Sequence, residues 1–410
     1  MTSKEHLTQM EKNIFKNKYL LTALAMYLVY FVHGMGGIIL AQNKTALMAQ
    51  WATDAAGIGM VISALGLGRF IVLFISGKLS DKYGRKPFIL IGIVTYITFF
   101  GGILFSKNVT VAFIFGLLAG MANSFLDAGT YPALMECFEE AQGSASVMIK
   151  AFISGGSSLL PIIISFLIAN NMYYGYSFFF CIAVLVLCGL VLLKVPFPAF
   201  KAVEAEGAKE VVEIKDVPKS NMWIEGIALI VIGFTATSTF QIIASWLPTY
   251  AQGAAGMQEA SANMLISLYS TGSLLSVFVT SALVAKWIKQ VRFVFVYPLI
   301  SLIMLVILWM FPSVLVCKIA AVVIGFTAAG GVLQLALTSM AELFPVNKGT
   351  ITGLVYSASS ISSFIIPAVC GKLADINVGH IILLDIVITA VGVILALVVN
   401  FRYNRVMKKA

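Results

Sequence analysis

The sequence predicts an all-α integral membrane protein, with twelve transmembrane helices in two six-helix bundles related by pseudo-two-fold symmetry. Its 410 residues are 60% hydrophobic and only 11% charged, and the mean hydropathy is +0.97. A soluble protein carries about 25% charged residues, so this excess of apolar residues is too large for a soluble core. The apolar residues form runs of about 20, the length that crosses a bilayer, with short polar breaks between them.

One long polar segment divides the twelve apolar runs into two sets of six. The predicted helices, 1 to 12 in chain order, are residues 19–49, 56–79, 88–106, 109–137, 145–169, 174–194, 222–251, 260–286, 292–311, 313–341, 349–374 and 378–401. The polar segment, residues 195–221, holds five acidic residues and four lysines and is predicted to be a solvated cytoplasmic linker. The expected domains are therefore an N-terminal bundle (1–194), this linker and a C-terminal bundle (222–410).

The two halves also share a pattern of residues at one constant offset. These are Glu136, Phe138, Gly143 and Pro161, which return 206 residues later as Glu342, Phe344, Gly349 and Pro367. Each match lies in a helix–loop–helix context. Parallel repeats of six helices, with a solute site near the midplane between them, are an architecture of membrane transporters.

The net charge of +9 is explained by the membrane rather than by a nucleic-acid partner. Basic residues cluster in both tails and in alternate loops, for example at Lys82, Arg85 and Lys86. Basic loops stay on the cytoplasmic side, so we expect a multi-pass protein of the cell membrane, surrounded by the lipid bilayer, with both termini in the cytoplasm. The five cysteines have no metal-ligand spacing, so no metal is expected.

Polar side chains follow one face of helices 1, 4, 7 and 10. Helix 4, for example, carries Asn123, Asp127 and Tyr131 at helical spacing. Unpaired polar groups are costly in hydrocarbon, so these faces must contact protein or a water-filled cavity. Helices 3, 6, 9 and 12 are apolar on nearly every side and are predicted to face lipid. The candidate solute-binding residues are Tyr30, His33, Arg69, Asn123, Asp127, Tyr131, Lys150, Gln241, Gln334 and Tyr356.

Arg69, Asp127 and Lys150 fall inside predicted spans at similar depth, and intramembrane ionisable groups are functional candidates. Asp127 can accept a proton and so couple transport to it, bind a cation or hydroxyl groups, or neutralise one of the two cations in a structural ion pair. The surplus cation can attract an anionic substrate. His33, which titrates near physiological pH, is a second candidate for proton coupling, or a hydrogen-bonded structural group. The ammonium of Lys44 is expected to reach the membrane interface.

Residues 77–87, between helices 2 and 3, read Gly-Lys-Leu-Ser-Asp-Lys-Tyr-Gly-Arg-Lys-Pro. This loop resembles the G-x-L-x-D-x-x-G-R-K motif of the major facilitator superfamily. With the twelve spans and the six-plus-six repeat, the resemblance covers essentially the whole chain. It implies alternating access and a cytoplasmic gate in which Asp81 contacts helix 11. The alternative is a basic loop that only fixes the topology.

The expected gate residues are Gly77, Asp81, Gly84, Arg85, Glu136 and Glu342. Gly77 allows a neighbouring helix to approach closely, and Gly84 allows a tight turn. Glu136 is a plausible partner for Arg85. The second-half counterpart of the loop lacks the aspartate, which leaves Lys289 or Arg292 as a candidate partner for Glu342.

Two departures from family patterns bear on the coupling. Where many proton-coupled members carry an arginine in helix 4, this chain has Gly116, and the glycine-proline signature of drug antiporters is absent from helix 5.

The prediction is a secondary active transporter, not an enzyme. It needs no cofactor and acts as a monomer. The expected cargo is a small hydrophilic organic solute, an organic acid rather than a sugar, taken up with a proton or another coupling ion.

Two alternatives remain. One is a proton-antiport efflux pump for drugs or metabolites. The other is a channel or a sensor that binds a solute without carrying it.

Overall fold

The computed structural model describes residues 17–138, 142–198, 220–286, 288–329, 331–344 and 348–407. Within these ranges, twelve helices are long and apolar enough to cross a membrane, which confirms the predicted fold class. They are α1 (Leu20–Gln42), α2 (Ala55–Tyr83), α3 (Arg85–Phe105), α4 (Val109–Cys137), α5 (Gln142–Ala169), α6 (Tyr176–Lys194), α7 (Met222–Ala255), α8 (Glu259–Lys286), α9 (Gln290–Met310), α10 (Val314–Ile324, Gly325–Ala329 and Val332–Leu343), α11 (Lys348–Ile376) and α12 (Gly379–Met407).

Polar residues fix several helix starts. The side chain of Asp54 accepts a hydrogen bond from the Gly57 amide at 2.9 Å at the start of α2, and Asn108 accepts one from Val111 at the start of α4. Such caps satisfy amide groups that have no partner inside the helix. The first helix ends earlier than expected, at Gln42, and a separate short helix, Lys44–Trp51, follows it.

The tenth span is interrupted, although the sequence predicts a continuous helix. It passes through a π-helical segment, Gly325–Ala329, and restarts after Gly331, whose φ is +118°. A left-handed backbone is readily adopted only by glycine. Irregular backbone at membrane depth is tolerated where it is buried in protein or lines a water-filled cavity, and Gly331 lies at the central cavity described below.

Glycines bring the helices of the N-terminal bundle close together. A Cβ added at Gly120 of α4 would lie 2.0 Å from the Leu65 carbonyl oxygen of α2, and one at Gly34 of α1 would lie 2.1 Å from the Ile153 oxygen of α5. Neither position can hold a larger side chain unless a backbone moves. Small residues at such crossings let helices pack by van der Waals contact where lipid removes the hydrophobic driving force.

The two bundles are joined at the end of the molecule opposite the linker, which we call the distal end. There the Asp375 carboxylate of α11 accepts hydrogen bonds from the Ala55 and Ala56 amides at the start of α2, at 3.1 and 3.0 Å. A carboxylate at a helix N-terminus is favoured by the helix dipole. The Ser267 hydroxyl of α8 also donates to the Ser158 carbonyl of α5 at 2.7 Å. This end is therefore closed.

Lys44 does not reach the membrane interface as expected. It is buried at the distal end, where its ammonium group lies 3.6 Å from the centroid of the Trp246 ring and donates to the Thr249 hydroxyl. The contact joins the two halves. A desolvated cation–π contact favours the charged form by about 2 kcal/mol. Burial opposes the charged form of Lys44 and has the larger effect, because removing an ion from water costs several kcal/mol. The nearby Asp375 carboxylate offsets only part of this cost, so the pKa of Lys44 falls to about 7.

The glycine crossings can be tested with matched substitutions. We expect Gly120→Ala to reduce stability by about 1–3 kcal/mol, the usual cost of overpacking. Gly101→Ala, on a surface of α3 where no described atom lies within 4 Å of an added Cβ, is expected to be neutral or slightly stabilising, because alanine favours a helix. Thermal unfolding in detergent measures both, and equal effects would contradict the packing assignment.

Closure of the distal end is expected to strengthen as pH rises from about 7 to about 10. An exposed lysine keeps its proton up to about pH 10.5 and the buried Lys44 only up to about pH 7, so closing releases a proton in this window. The closed population then rises by up to about tenfold per pH unit. Spin labels at Lys107→Cys and His380→Cys report the distance across this end. Lys44→Met should remove the pH dependence; its persistence would assign the effect to another group.

Candidate functional site

A cavity of about 580 Å³ lies between the two bundles, within the range of small-molecule sites. It is bounded on the distal side by the closed end and extends toward the linker end as far as Leu73 and Val277. The structure places all ten residues predicted to bind a solute on its walls. They are Tyr30, His33, Arg69, Asn123, Asp127, Tyr131 and Lys150 from the N-terminal half, and Gln241, Gln334 and Tyr356 from the C-terminal half.

An ion pair between α2 and α4 forms the charged centre of the cavity. Arg69 Nη2 donates to Asp127 Oδ2 at 3.2 Å, and the Tyr30 hydroxyl of α1 donates to Asp127 Oδ1 at 2.7 Å. The side chains of Arg69 and Asp127 are 28% and 21% exposed. Asp127 therefore contacts two neighbouring helices and still faces the cavity, as a group that exchanges protons or binds a solute must.

The cationic side of the cavity has spare hydrogen-bonding capacity. Arg69 Nε is buried and has no hydrogen-bond partner among the described residues. Its guanidinium carbon also lies 6.0 Å from the centre of the Tyr356 ring, which belongs to the other half. Lys150 lines the same cavity and forms no ion pair within the described ranges. Two cations thus share one carboxylate.

Aromatic residues form one wall of the N-terminal half. His33 Nδ1 and the Tyr96 hydroxyl are 2.5 Å apart, and the rings of Tyr30 and Tyr131 meet edge to face with centroids 5.8 Å apart. Tyr96 belongs to α3, which the sequence predicts to face lipid. This was missed because one tyrosine in an apolar run gives no periodic signal. His33 therefore has a neutral hydrogen-bond partner, and its ring packs edge to face against the rings of Tyr30 and Tyr96.

The C-terminal half contributes amides and hydroxyls but no charge among the described lining residues. Gln241 and Gln334 line the cavity, whereas Thr237 donates to Ser359 of α11 at 2.8 Å and so also packs helices together. Part of the predicted polar face points elsewhere: Thr327 bonds Ser301 of α9 at 2.6 Å. Hydroxyls in membrane helices commonly serve packing of this kind.

A buried acid in α12 was also missed, because that helix is otherwise strongly apolar. Asp385 is 0% exposed, and its Oδ2 has no hydrogen-bond partner among the described residues. It does not line the central cavity. The signal in the sequence was a single aspartate in an apolar run, without the polar face at helical spacing that identified Asp127.

The expected gate residues form a small charged network at the linker end. Arg85 donates to Asp81 at 2.5 Å and to Glu136 at 3.4 Å. Gly84 has a φ of +93° and separates α2 from α3, as the tight turn requires. No described atom lies within 4 Å of a Cβ added at Gly77, so the close helix approach expected there is not seen in this conformation.

Two expected gate contacts, those of Asp81 and of Glu342, are not found in the described part of the structure. The side chains of residues 348–353 at the start of α11, the helix expected to meet Asp81, lie outside the described set. Glu342 accepts a hydrogen bond from the Tyr403 hydroxyl at 2.6 Å. Within the described ranges it forms no ion pair with Lys289 or Arg292.

Comparison with known proteins gives consistent matches. Residues 26–367 match the family model described as Major Facilitator Superfamily. The inner membrane transport protein YdiM of Escherichia coli K12 is 42% identical over 390 residues, which cover 95% of this chain and 96% of that protein. A gentisate transporter of Corynebacterium glutamicum is 24% identical over 352 residues, covering 83% of this chain and 78% of that protein.

Among solved structures, a D-xylose–proton symporter superposes with a TM-score of 0.76 at 13% identity, over 92% of this chain and 96% of that one. This likeness concerns the fold. The family match and the 42% identity to a relative of nearly equal length, together with the paired six-helix bundles around one cavity, show that the chain belongs to the major facilitator superfamily of membrane transporters.

Proposed function

We propose that the protein carries a small organic acid across the cytoplasmic membrane by alternating access, as proton-coupled uptake. The observation that supports this is the charge of the cavity: Arg69 and Lys150 face it, and Asp127 is the one acidic residue among the described residues that line it. One positive charge is left for the solute. Intramembrane charges are costly, and a bound anion would offset that cost.

The donor geometry favours a carboxylate. The guanidinium of Arg69 is partly exposed on the cavity wall, and a guanidinium can offer two parallel N–H groups to the two oxygens of a carboxylate. Lys150 adds a mobile point charge. The aromatic wall at Tyr30 and Tyr131 and the amide of Gln241 suit a solute with a flat or polar body. Gentisate, named for one relative, is an organic acid.

Alternating access requires two closures. The distal end is held shut by Asp375 and by Lys44, so this conformation would open toward the linker end. The basic loops at that end support a cytoplasmic location for it. The Asp81–Arg85–Glu136 network is then placed to participate in closing the cytoplasmic side. Because one chain encloses the whole cavity, we propose that the monomer is the functional unit.

Asp127 is the proposed coupling group in the cavity. Its protonation would remove the partner of Arg69 and free the guanidinium for the solute, so that proton and anion bind together. Tyr30 holds the carboxylate in place in the meantime. This order of events suits uptake of an anion with a proton. Export of drugs by proton antiport would instead make the solute compete with the proton.

The substrate class can be tested by ligand-induced thermal stabilisation. We expect aromatic and aliphatic carboxylates to raise the unfolding temperature of the purified protein, because a ligand of the folded state stabilises by mass action; neutral sugars and cationic drugs should not. Lys150→Gln should raise the carboxylate concentration needed for a given stabilisation about tenfold or more, since a hydrogen bond to a charged group contributes about 1.5–3 kcal/mol. The control is Lys318→Gln, which removes an exposed charge far from the cavity.

The proposal predicts that Asp127→Asn separates coupling from transport. In proteoliposomes this variant should fail to accumulate the acid against its gradient when a pH gradient is imposed, but should keep exchange of internal for external solute. The amide preserves size and cannot titrate. Unchanged accumulation would exclude Asp127 as the coupling group, and saturable exchange accelerated by trans solute would exclude a channel. Accumulation driven outward would favour the efflux alternative.

A further inference from the structure

The C-terminal bundle contains a polar cluster that is separate from the central cavity. Asp385 of α12 is fully buried, and its Oδ1 accepts a hydrogen bond from the Thr389 hydroxyl, one turn further along the helix, at 3.2 Å. Thr389 in turn shares a 2.7 Å hydrogen bond with Thr239 of α7. Oδ2 is buried and has no hydrogen-bond partner among the described residues.

Among the described residues, no cation pairs with this cluster. None of the ion pairs in the described part of the chain involves Asp385, and the titratable groups that interact with it are Tyr269 of α8 and Cys370 of α11. Both are neutral when protonated, so neither compensates a carboxylate. A buried ionised carboxylate without a cation costs several kcal/mol, and such a group avoids that cost by holding a proton.

A path leads from this carboxyl toward the central cavity. A small void of about 20 Å³ has mostly apolar walls, but the hydroxyl-bearing residues Thr389, Thr239 and Ser301 are among those that line it. A void of this size has room for one water molecule, which would need these hydroxyls as its hydrogen-bond partners. Ala236 and Val332 line both this void and the central cavity, so only a thin wall of small and apolar side chains separates the two. The interrupted part of α10 forms part of that wall.

We propose that Asp385 is a second proton-binding site, which exchanges its proton with the central cavity through the Thr389 hydroxyl and the small void. In the release step the hydrogen bond runs in the opposite direction: the protonated Oδ1 donates to Thr389 Oγ1 and passes its proton there, while the hydroxyl of Thr389 has turned toward the void and passes its own proton to water. The threonine is unchanged and the carboxylate remains. Return of a proton reverses the step. Thr239 holds Thr389 in the orientation that this relay needs.

The arrangement gives each bundle one titratable carboxyl: Asp127 beside the solute in the N-terminal half, and Asp385 behind the cavity wall in the C-terminal half. The proton binding itself follows from the buried cluster. Its use in coupling rests on the proposed function, because only a proton-coupled carrier would draw on it. The interrupted segment of α10 is the element through which the state of Asp385 would reach the cavity.

Infrared difference spectroscopy of the full-length protein in lipid membranes tests the site without any solute. We expect a C=O stretching band of a protonated carboxylic acid that disappears reversibly as the pH is raised. Asp385→Asn should remove this band, Asp385→Glu should restore one at a shifted frequency, and Asp127→Asn should leave it in place. Thermal unfolding confirms that each variant is folded. A band that survives in Asp385→Asn, or is absent from the wild type throughout, would overturn the proposal.

The relay is tested by the rate at which the same band shifts after transfer to D₂O. Thr389→Ser keeps the hydroxyl and should exchange at the wild-type rate, whereas Thr389→Val keeps the shape and should exchange several-fold more slowly. Equal rates in the two variants would exclude the relay through Thr389. Because no transported solute is involved, these outcomes are independent of whether the protein carries an organic acid.

Discussion

The membrane supplies no water to satisfy polar groups, and this constraint organises the whole structure. Every ionisable side chain within the bilayer must find a partner, face a wet cavity or give up its charge. Arg69 and Asp127 show the first two solutions at once, since they pair across α2 and α4 and still line the cavity. Glu225, at 0% exposure, is paired with Arg402 at 2.6 Å, which ties α7 to α12. In the described part of the chain Asp385 has no cationic partner, and it does not line the cavity; the proposed proton on its carboxyl would be the third solution.

The two bundles share a helix pattern but divide the chemistry between them. The charges at the cavity come from the N-terminal half, whereas the C-terminal half supplies Gln241, Gln334 and Tyr356. Such a division allows one half to bind a charged solute while the other half moves against it with weaker, adaptable contacts. Rigid crossings such as that at Gly120 keep the N-terminal half intact during that movement.

Closure at the distal end combines contacts that differ in kind. Asp375 holds the start of α2 through two backbone amides, a contact that persists as long as the carboxylate is charged. Lys44 instead gives up solvation to sit on Trp246, and its lowered pKa makes the contact responsive to pH. These two contacts join α2 to α11 and the short helix after α1 to α7, while the Ser267–Ser158 hydrogen bond joins α8 to α5.

The sequence alone determined the twelve spans, the two-bundle architecture and the polar residues of the cavity, because hydropathy, repeat spacing and the cost of intramembrane charge act along single helices. It identified Asp127 and Arg69 as ionisable groups of similar depth but left open whether they pair. Tertiary structure decided that pairing, the burial of Lys44, the role of Tyr96 and the isolation of Asp385. Each of these depends on which face of a helix meets which neighbour, and a single polar residue in an apolar run carries no periodicity that would reveal it.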